Sequence, residues 1–171
     1  MIYNIHPIFV HFPIALLFIY SIIKILPFKK WLPKVTWDYL GFILLLIGVL
    51  GAFVASSTGE IAEELVKTNK QLVEMHSTFA GISTYIYVLL LLGEILILLI
   101  PKIFGKINLP KTSELVLFIQ KVLTHKIVVI VLAFLGLVAI TITGLLGGTI
   151  VYGATADPFA PIVLKLLGIS L

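Results

Sequence analysis

The chain contains no cysteine. This absence excludes disulfide bonds, cysteine-ligated metal ions, iron–sulfur clusters and the covalent attachment of a c-type haem. Methionine is scarce as well: the two residues, Met1 and Met75, are far apart and offer no neighbouring thioether pair for copper(I). A metal or cofactor in this protein would therefore depend on nitrogen or oxygen ligands.

Charged residues are also few. They make up 12% of the chain against 60% hydrophobic residues, and the mean hydropathy is +1.20. Such a composition is unsuitable for a soluble core, and apolar runs of about 18 residues or more indicate membrane helices. The net charge of +4 does not point to nucleic acid, because the lysines flank the apolar runs. The composition indicates an integral membrane protein.

Four long apolar runs predict an all-α integral membrane protein, a four-helix bundle forming a single transmembrane domain over residues 1–171. The transmembrane helices are expected at about 7–26, 38–57, 75–100 and 125–151. Shorter segments at about 60–74, 113–123 and 158–171 are predicted to lie in the membrane interface. The first of these segments has a second interpretation, as an outward extension of the third helix.

The distribution of lysine predicts the orientation. Nine lysines belong to the side of the first and third connections, and three belong to the side that carries both termini. Cytoplasmic loops carry an excess of positive charge. Both termini are therefore expected to be extracytoplasmic.

The first apolar run opens with two histidines and two prolines, in the stretch from His6 to Leu17. Pro7 suits the first position of a helix, where a missing N–H costs nothing. Pro13 falls about two turns later, where it should bend the helix and leave the Phe9 carbonyl without its usual donor. His11 therefore stands in an apolar helix near a bend and needs a partner.

Histidines from two helices and glycines from two others are predicted to meet at the outer end of the bundle. His11 and His76 are the proposed axial ligands of a b-type haem, which needs two imidazoles and bare backbone beside its macrocycle. Glycines would provide that clearance, and polar groups would meet the propionates. The remaining members of the predicted site are His6, Thr58, Gly59, Gly81, Gly147, Gly148 and Tyr152. Such a cytochrome would exchange electrons with a quinone or an outer-face protein.

Two other functions fit the same residues. A zinc or copper ion held by His6, His11 and His76 would indicate metal binding or transport. Alternatively, small-residue stripes such as Gly51, Ala55 and Gly59 pack helices closely and would suit a cofactor-free assembly or scaffold subunit, or a homo-oligomer. Enzymatic activity is left open.

Glu94 is the one carboxylate deep within a predicted membrane helix. Acidic residues at such positions are often functional. Glu94 could carry protons, pair with Lys24 or Lys126, or hydrogen-bond a neighbouring helix. His125 opens the fourth helix at the opposite end from the other histidines, so a second bis-histidine haem is not expected.

Motifs along almost the whole chain resemble a known family. They are His-Pro-x-x-x-His-Phe-Pro-Ile-Ala-Leu-Leu from His6, Thr58-Gly59, His76, and Thr-Gly-Leu-Leu-Gly-Gly-Thr-Ile-Val-Tyr from Thr143. The chain resembles the bacterial and archaeal membrane proteins with domain of unknown function 2231, and this resemblance implies a location in the cytoplasmic membrane of a prokaryote. The resemblance implies a four-helix membrane bundle, with His6, His11, His76 and the Gly147–Tyr152 region close together, and it suggests a redox or haem-associated role. Two departures are Leu145, where relatives tend to have Trp, and Gly153-Ala154, where many relatives place another His.

Overall fold

Helices form nearly all of the described chain. The computed structural model describes residues 5–65, 68–104, 112–155 and 157–169. Within these ranges there are four long helices and three short ones. In chain order they are α1 (His6–Ile25), α2 (Phe28–Trp31), α3 (Trp37–Leu65), α4 (Lys70–Phe104), α5 (Thr112–Leu123), α6 (Lys126–Tyr152) and α7 (Ala160–Leu166).

The four long helices have the length and apolar composition needed to cross a membrane. The spans cover the whole of α1, α3 and α6, and the part of α4 from Lys70 to Leu98. Large side chains on them face outward: Phe12 is 59% exposed, Phe53 54% and Phe134 55%. Helices that are apolar on every side are typical of membrane spans. The predicted all-α membrane four-helix fold is therefore confirmed.

Two helix ends differ from the sequence prediction. The second long helix continues past residue 57 to Leu65, and the third begins at Lys70 rather than at residue 75. The predicted segment at 60–74 is therefore not a separate helix in its described part, and its residues 66–67 lie outside the described residues. Two apolar side chains explain the extensions, because Ala62 and Leu72 are 6% and 1% exposed and pack against the bundle.

Asn69 marks the start of α4. Its side-chain oxygen accepts hydrogen bonds from the backbone N–H groups of Gln71 at 2.9 Å and Leu72 at 3.3 Å. This is the usual way in which an asparagine caps a helix N-terminus. Helix α5 matches the predicted segment at 113–123 but begins one residue earlier, at Thr112. Helix α7 lies within the predicted segment at 158–171, of which residues 170–171 are outside the described residues. Their placement in the membrane interface remains a prediction.

The order of the long helices around the bundle places α1 diagonally opposite α4. Helix α1 packs against α3 and α6, and helix α4 packs against the same two. Side chains from α1 and α4 that point inward therefore meet at the bundle axis. A buried core built around Leu17, Leu45, Tyr87 and Ile140 fills the middle of the bundle.

The two ends of the bundle differ in their side chains. We call the end with His6, Thr58 and His76 the histidine end, and the end with Lys24 and Glu94 the lysine end. Helix α7 belongs to the histidine end, because Leu164 packs in one buried cluster with Leu72 of α4 and Leu146 of α6.

Candidate functional site

The rings of His6 and His76 meet at the axis of the bundle. Their centroids are 6.4 Å apart, and the ring planes are at 87° to each other. His6 is the first residue of α1, and His76 lies in the second turn of α4. Because α1 and α4 lie diagonally opposite each other, the two rings fill the centre of the bundle at the histidine end.

Each ring is oriented through its Nδ1 atom. His76 Nδ1 lies 3.0 Å from the Thr143 carbonyl, which can only accept a hydrogen bond, so Nδ1 carries the proton. His6 Nδ1 lies 3.0 Å from Thr58 Oγ1. That hydroxyl donates its one hydrogen to the Ala55 carbonyl at 2.9 Å, so it accepts from His6.

This arrangement fixes the tautomer of both neutral imidazoles. With Nδ1 protonated, the lone pair of each ring is on Nε2. Metal-binding histidines commonly use this arrangement, in which Nδ1–H is held by a carbonyl or another oxygen and Nε2 coordinates. The two rings are thus prepared for the same chemical role.

Two glycines let the rings lie against the neighbouring helices. A Cβ atom on Gly59 of α3 would come within 3.2 Å of His6 Cε1, and one on Gly147 of α6 within 3.1 Å of His76 Cε1. The sequence predicted these glycines as clearance for a macrocycle, but the atoms next to them are imidazole atoms. At Gly81 and Gly148, two other predicted members, an added Cβ would have no neighbour within 4 Å.

His11 is not part of this arrangement. Its side chain is exposed, and its Nδ1 contacts the carbonyl of Pro7 in its own helix. Five residues along a helix correspond to about 140° of rotation, so when His6 points to the axis His11 points away from it. The predicted pairing of His11 with His76 as haem ligands is therefore not seen, and the ring beside His76 is that of His6.

Of the remaining predicted site residues, one lies at the histidine pair and one lies away from it. Thr58 is at the site, whereas Tyr152, the last residue of α6, is 75% exposed. No group of three His, Cys, Asp or Glu side chains suited to a metal ion occurs among the residues that the structure describes. The three-histidine site of His6, His11 and His76 is accordingly not assembled there.

Glu94 lies at the lysine end in contact with Lys24. Lys24 Nζ is 2.5 Å from Glu94 Oε1, and the side chains are 15% and 17% exposed. Lys24 was one of the two cationic partners that the sequence offered. The ammonium also lies 5.4 Å from the centre of the Tyr20 ring, which is fully buried.

A third polar contact lies between these ends. The hydroxyl groups of Ser21 and Tyr87 are 2.8 Å apart and buried, and the rings of Tyr20 and Tyr87 pack edge to face at 6.3 Å. Tyr20 and Ser21 were not predicted from the sequence as site residues. Helical spacing could have identified Tyr87. Tyr87 and Glu94 follow His76 by 11 and 18 residues, so both lie within about 20° of it around the helix axis.

The contacts repeat between two helical hairpins, α1–α3 and α4–α6. His6 and His76 are separated by 70 positions, the separation that also relates Lys24 to Glu94. Leu17 and Tyr87 have this separation too, and each packs on a glycine. A Cβ at Gly48 would meet Leu17 at 2.6 Å, and one at Gly136 would meet Tyr87 at 3.0 Å.

The glycines follow an interval of their own. Gly48 and Gly136 are 88 positions apart, as are Gly59 and Gly147. The two hairpins therefore make equivalent contacts, with the histidine pair at one end of the bundle and the Lys24–Glu94 pair at the other.

The fold and the repeated hairpins define a helical membrane protein with a histidine pair on its internal axis. The chain belongs to the DUF2231 family, described as predicted membrane proteins, whose family model matches residues 3–156. The match includes all four spans and both members of the histidine pair. Comparisons with curated proteins and with solved structures gave no match.

Proposed function

We propose that His6 and His76 bind one metal centre, the iron of a b-type haem, and that the protein transfers electrons in the membrane. The observation that carries this proposal is the meeting of the two imidazoles at the axis, with each Nδ1 held by an oxygen. When bound, the haem would supply one-electron chemistry. His6 and His76 would each provide one nitrogen ligand to the iron, and the oxygen atoms at each Nδ1 would keep the rings from rotating.

The separation of the rings would allow both imidazoles to reach one metal centre. A metal–imidazole bond is about 2 Å long and a ring centroid lies roughly 1 Å behind its nitrogen, so a centroid distance of 6.4 Å is within the reach of two such ligands.

A haem suits a site with two protein ligands better than a bare zinc ion does. Zinc takes four ligands, or three with an open position. The described residues offer no third metal-binding side chain beside His6 and His76. A porphyrin provides four nitrogens of its own, so two imidazoles complete the coordination of its iron.

The electron partners follow from the depth and orientation of the site. With both termini extracytoplasmic, as the lysine distribution predicts, the histidine pair lies near the outer surface. A lipid-soluble quinone can reach such a site from within the bilayer, and a redox protein can reach it from outside. We propose one of these as the electron donor or acceptor.

The test compares alanine variants of the three histidines near the histidine end of the bundle. Wild-type protein, His6→Ala, His76→Ala and His11→Ala are expressed with haem precursor and purified in mild detergent. We expect a sharp α-band in the reduced-minus-oxidised spectrum of the wild type. It should be lost in His6→Ala and His76→Ala and retained in His11→Ala, which removes an imidazole of similar depth but outside the pair.

The other outcomes would contradict the proposal. Loss of the band in His11→Ala with retention in His6→Ala would assign the iron to His11. Colourless protein that contains about one equivalent of zinc or copper would favour metal binding or transport. Colourless, metal-free protein after reconstitution with hemin would favour a cofactor-free assembly subunit.

A further inference from the structure

A large cavity opens between the long helices at the lysine end. Its volume is about 970 Å³, at the upper end of the range for ligand pockets. Its walls include apolar side chains from three of the long helices, among them Phe42 of α3, Leu90 of α4 and Val129 of α6. An apolar chain fits this lining.

A buried hydroxyl group at the cavity lacks a partner. Tyr20 lines the cavity, is 0% exposed, and is the one buried side chain in the described part of the protein whose polar atom has no hydrogen bond. Leaving such a group unpaired in an apolar environment is unfavourable. Binding that shifts Tyr20 enough to bring its hydroxyl to an acceptor oxygen would remove this cost.

The charges around the cavity are unequal. Four lysines and two carboxylates line it: Lys24, Lys29, Lys30, Lys126, Asp38 and Glu94. Lys24 pairs with Glu94, and Lys29 pairs with Asp38 at 2.7 Å. Among the described residues this leaves the ammonium groups of Lys30 and Lys126 without a carboxylate at the cavity. An occupant with an anionic head and an apolar tail complements them.

We infer that this cavity binds an anionic glycerophospholipid. Its phosphate would lie by Lys30 and Lys126, and an acyl chain would follow the apolar wall past Tyr20. Basic pockets between transmembrane helices are known to recognise anionic lipid head groups. The inference is independent of the proposed haem, because the histidine pair lies about 27 Å away along α4.

The experiment uses the tryptophan at the cavity as its reporter. Trp37 lines the cavity, and the Trp31→Phe background makes it the sole tryptophan, because the chain has two. The protein is reconstituted in phosphatidylcholine vesicles with increasing fractions of lipid brominated on its acyl chains. We expect brominated phosphatidylglycerol to reach half-maximal quenching at a roughly tenfold lower fraction than brominated phosphatidylcholine.

Charge variants separate the cavity from the general surface. Lys30→Gln with Lys126→Gln should abolish the preference for the anionic lipid, whereas Lys30→Arg with Lys126→Arg should retain it. Lys34→Gln with Lys121→Gln is the matched control. It removes two exposed lysines that do not line the cavity, and it should also retain the preference.

Four results would overturn the inference. The first is equal quenching by both brominated lipids in the wild type. The second is loss of the preference in the arginine variant, because charge would then not select the lipid. The third is an equal loss in the Lys34/Lys121 control, which would indicate surface attraction alone. The fourth is displacement of the brominated anionic lipid by an uncharged quinone that also binds the glutamine variant with unchanged strength.

Discussion

Lys24 of α1 and Glu94 of α4 form an ion pair across the bundle, although 70 residues separate them in the chain. Both side chains lie within membrane spans and are mostly buried. Charges in such surroundings are costly unless they are paired. The pair therefore ties the two hairpins together at the lysine end.

Removing one member of this ion pair should destabilise the protein more than removing both members. Lys24→Ala or Glu94→Ala leaves one charge buried without its partner, and each should lower the free energy of unfolding by about 3–5 kcal/mol. The double variant removes both charges and should lose less than either single variant. Unfolding in mixed detergent micelles, followed by circular dichroism, measures these differences.

The exposed pair at the same end provides the control. Lys29 and Asp38 are 66% and 72% exposed, so Lys29→Ala should change stability by no more than about 1 kcal/mol. A double Lys24/Glu94 variant that loses the sum of the two single losses would contradict the expected coupling.

Two adjacent glycines of α6 should respond differently to alanine. A Cβ at Gly147 would lie 3.1 Å from His76 Cε1, whereas a Cβ at Gly148 has no neighbour within 4 Å. Gly147→Ala should displace the ring and cost about 1–3 kcal/mol. Gly148→Ala should be neutral or stabilise by up to about 1 kcal/mol, because alanine favours the helix.

The same unfolding assay compares the two alanine variants. If the haem is present, the α-band should shift or weaken in Gly147→Ala and stay unchanged in Gly148→Ala, since only the first alters the position of His76. Equal stability and equal spectra of both variants would show that His76 does not rest against Gly147.

The absence of native cysteine makes the orientation directly testable. Glu64 at the end of α3 and Lys30 in α2 are both exposed and lie at opposite ends of the bundle. In intact cells, Glu64→Cys should react with a membrane-impermeant maleimide. Lys30→Cys should react only after lysis, because the lysine-rich side is predicted to be cytoplasmic.

Reactivity of Lys30→Cys alone in intact cells would reverse the orientation. Both termini and the histidine pair would then face the cytoplasm, and an extracytoplasmic electron partner would be excluded. The unmodified chain, which lacks a thiol, gives the background of the assay.

The sequence was a good guide to the elements and a weaker guide to their ends. Apolar runs long enough to span a bilayer can hardly form anything but transmembrane helices, since their backbone groups must be satisfied internally. The polar stretch after Gly59 concealed the continuation of α3 to Leu65. This continuation of α3 is buried through Ala62, which faces the other helices. Hydropathy averaged along the chain does not detect a single inward-facing residue.

The structure brings several of the predicted site residues together but does not bring His11 to His76, and the role of this cluster as a cofactor site stays a prediction. His76, Thr58, Gly59 and Gly147 lie together, as the sequence suggested, but His6 takes the place of His11. The apolar run around His11 is hydrophobic on every side, so its pattern gives no preferred inward face. The rotation of α1 was decided by Pro13 and Leu17 packing on Gly51 and Gly48 of α3.

The amino-acid sequence by itself determined that this protein is a bundle of four membrane helices with three of its four histidines at one end and nine of its twelve lysines at the other. That much follows from the free energy of transferring side chains and backbone between water and lipid, which depends on composition and length. Only the tertiary structure decided that His6 rather than His11 faces His76, and that Glu94 pairs with Lys24. These contacts depend on the rotation of the helices and on the diagonal placement of α1 and α4. Both are determined by close packing between residues that are far apart in the chain.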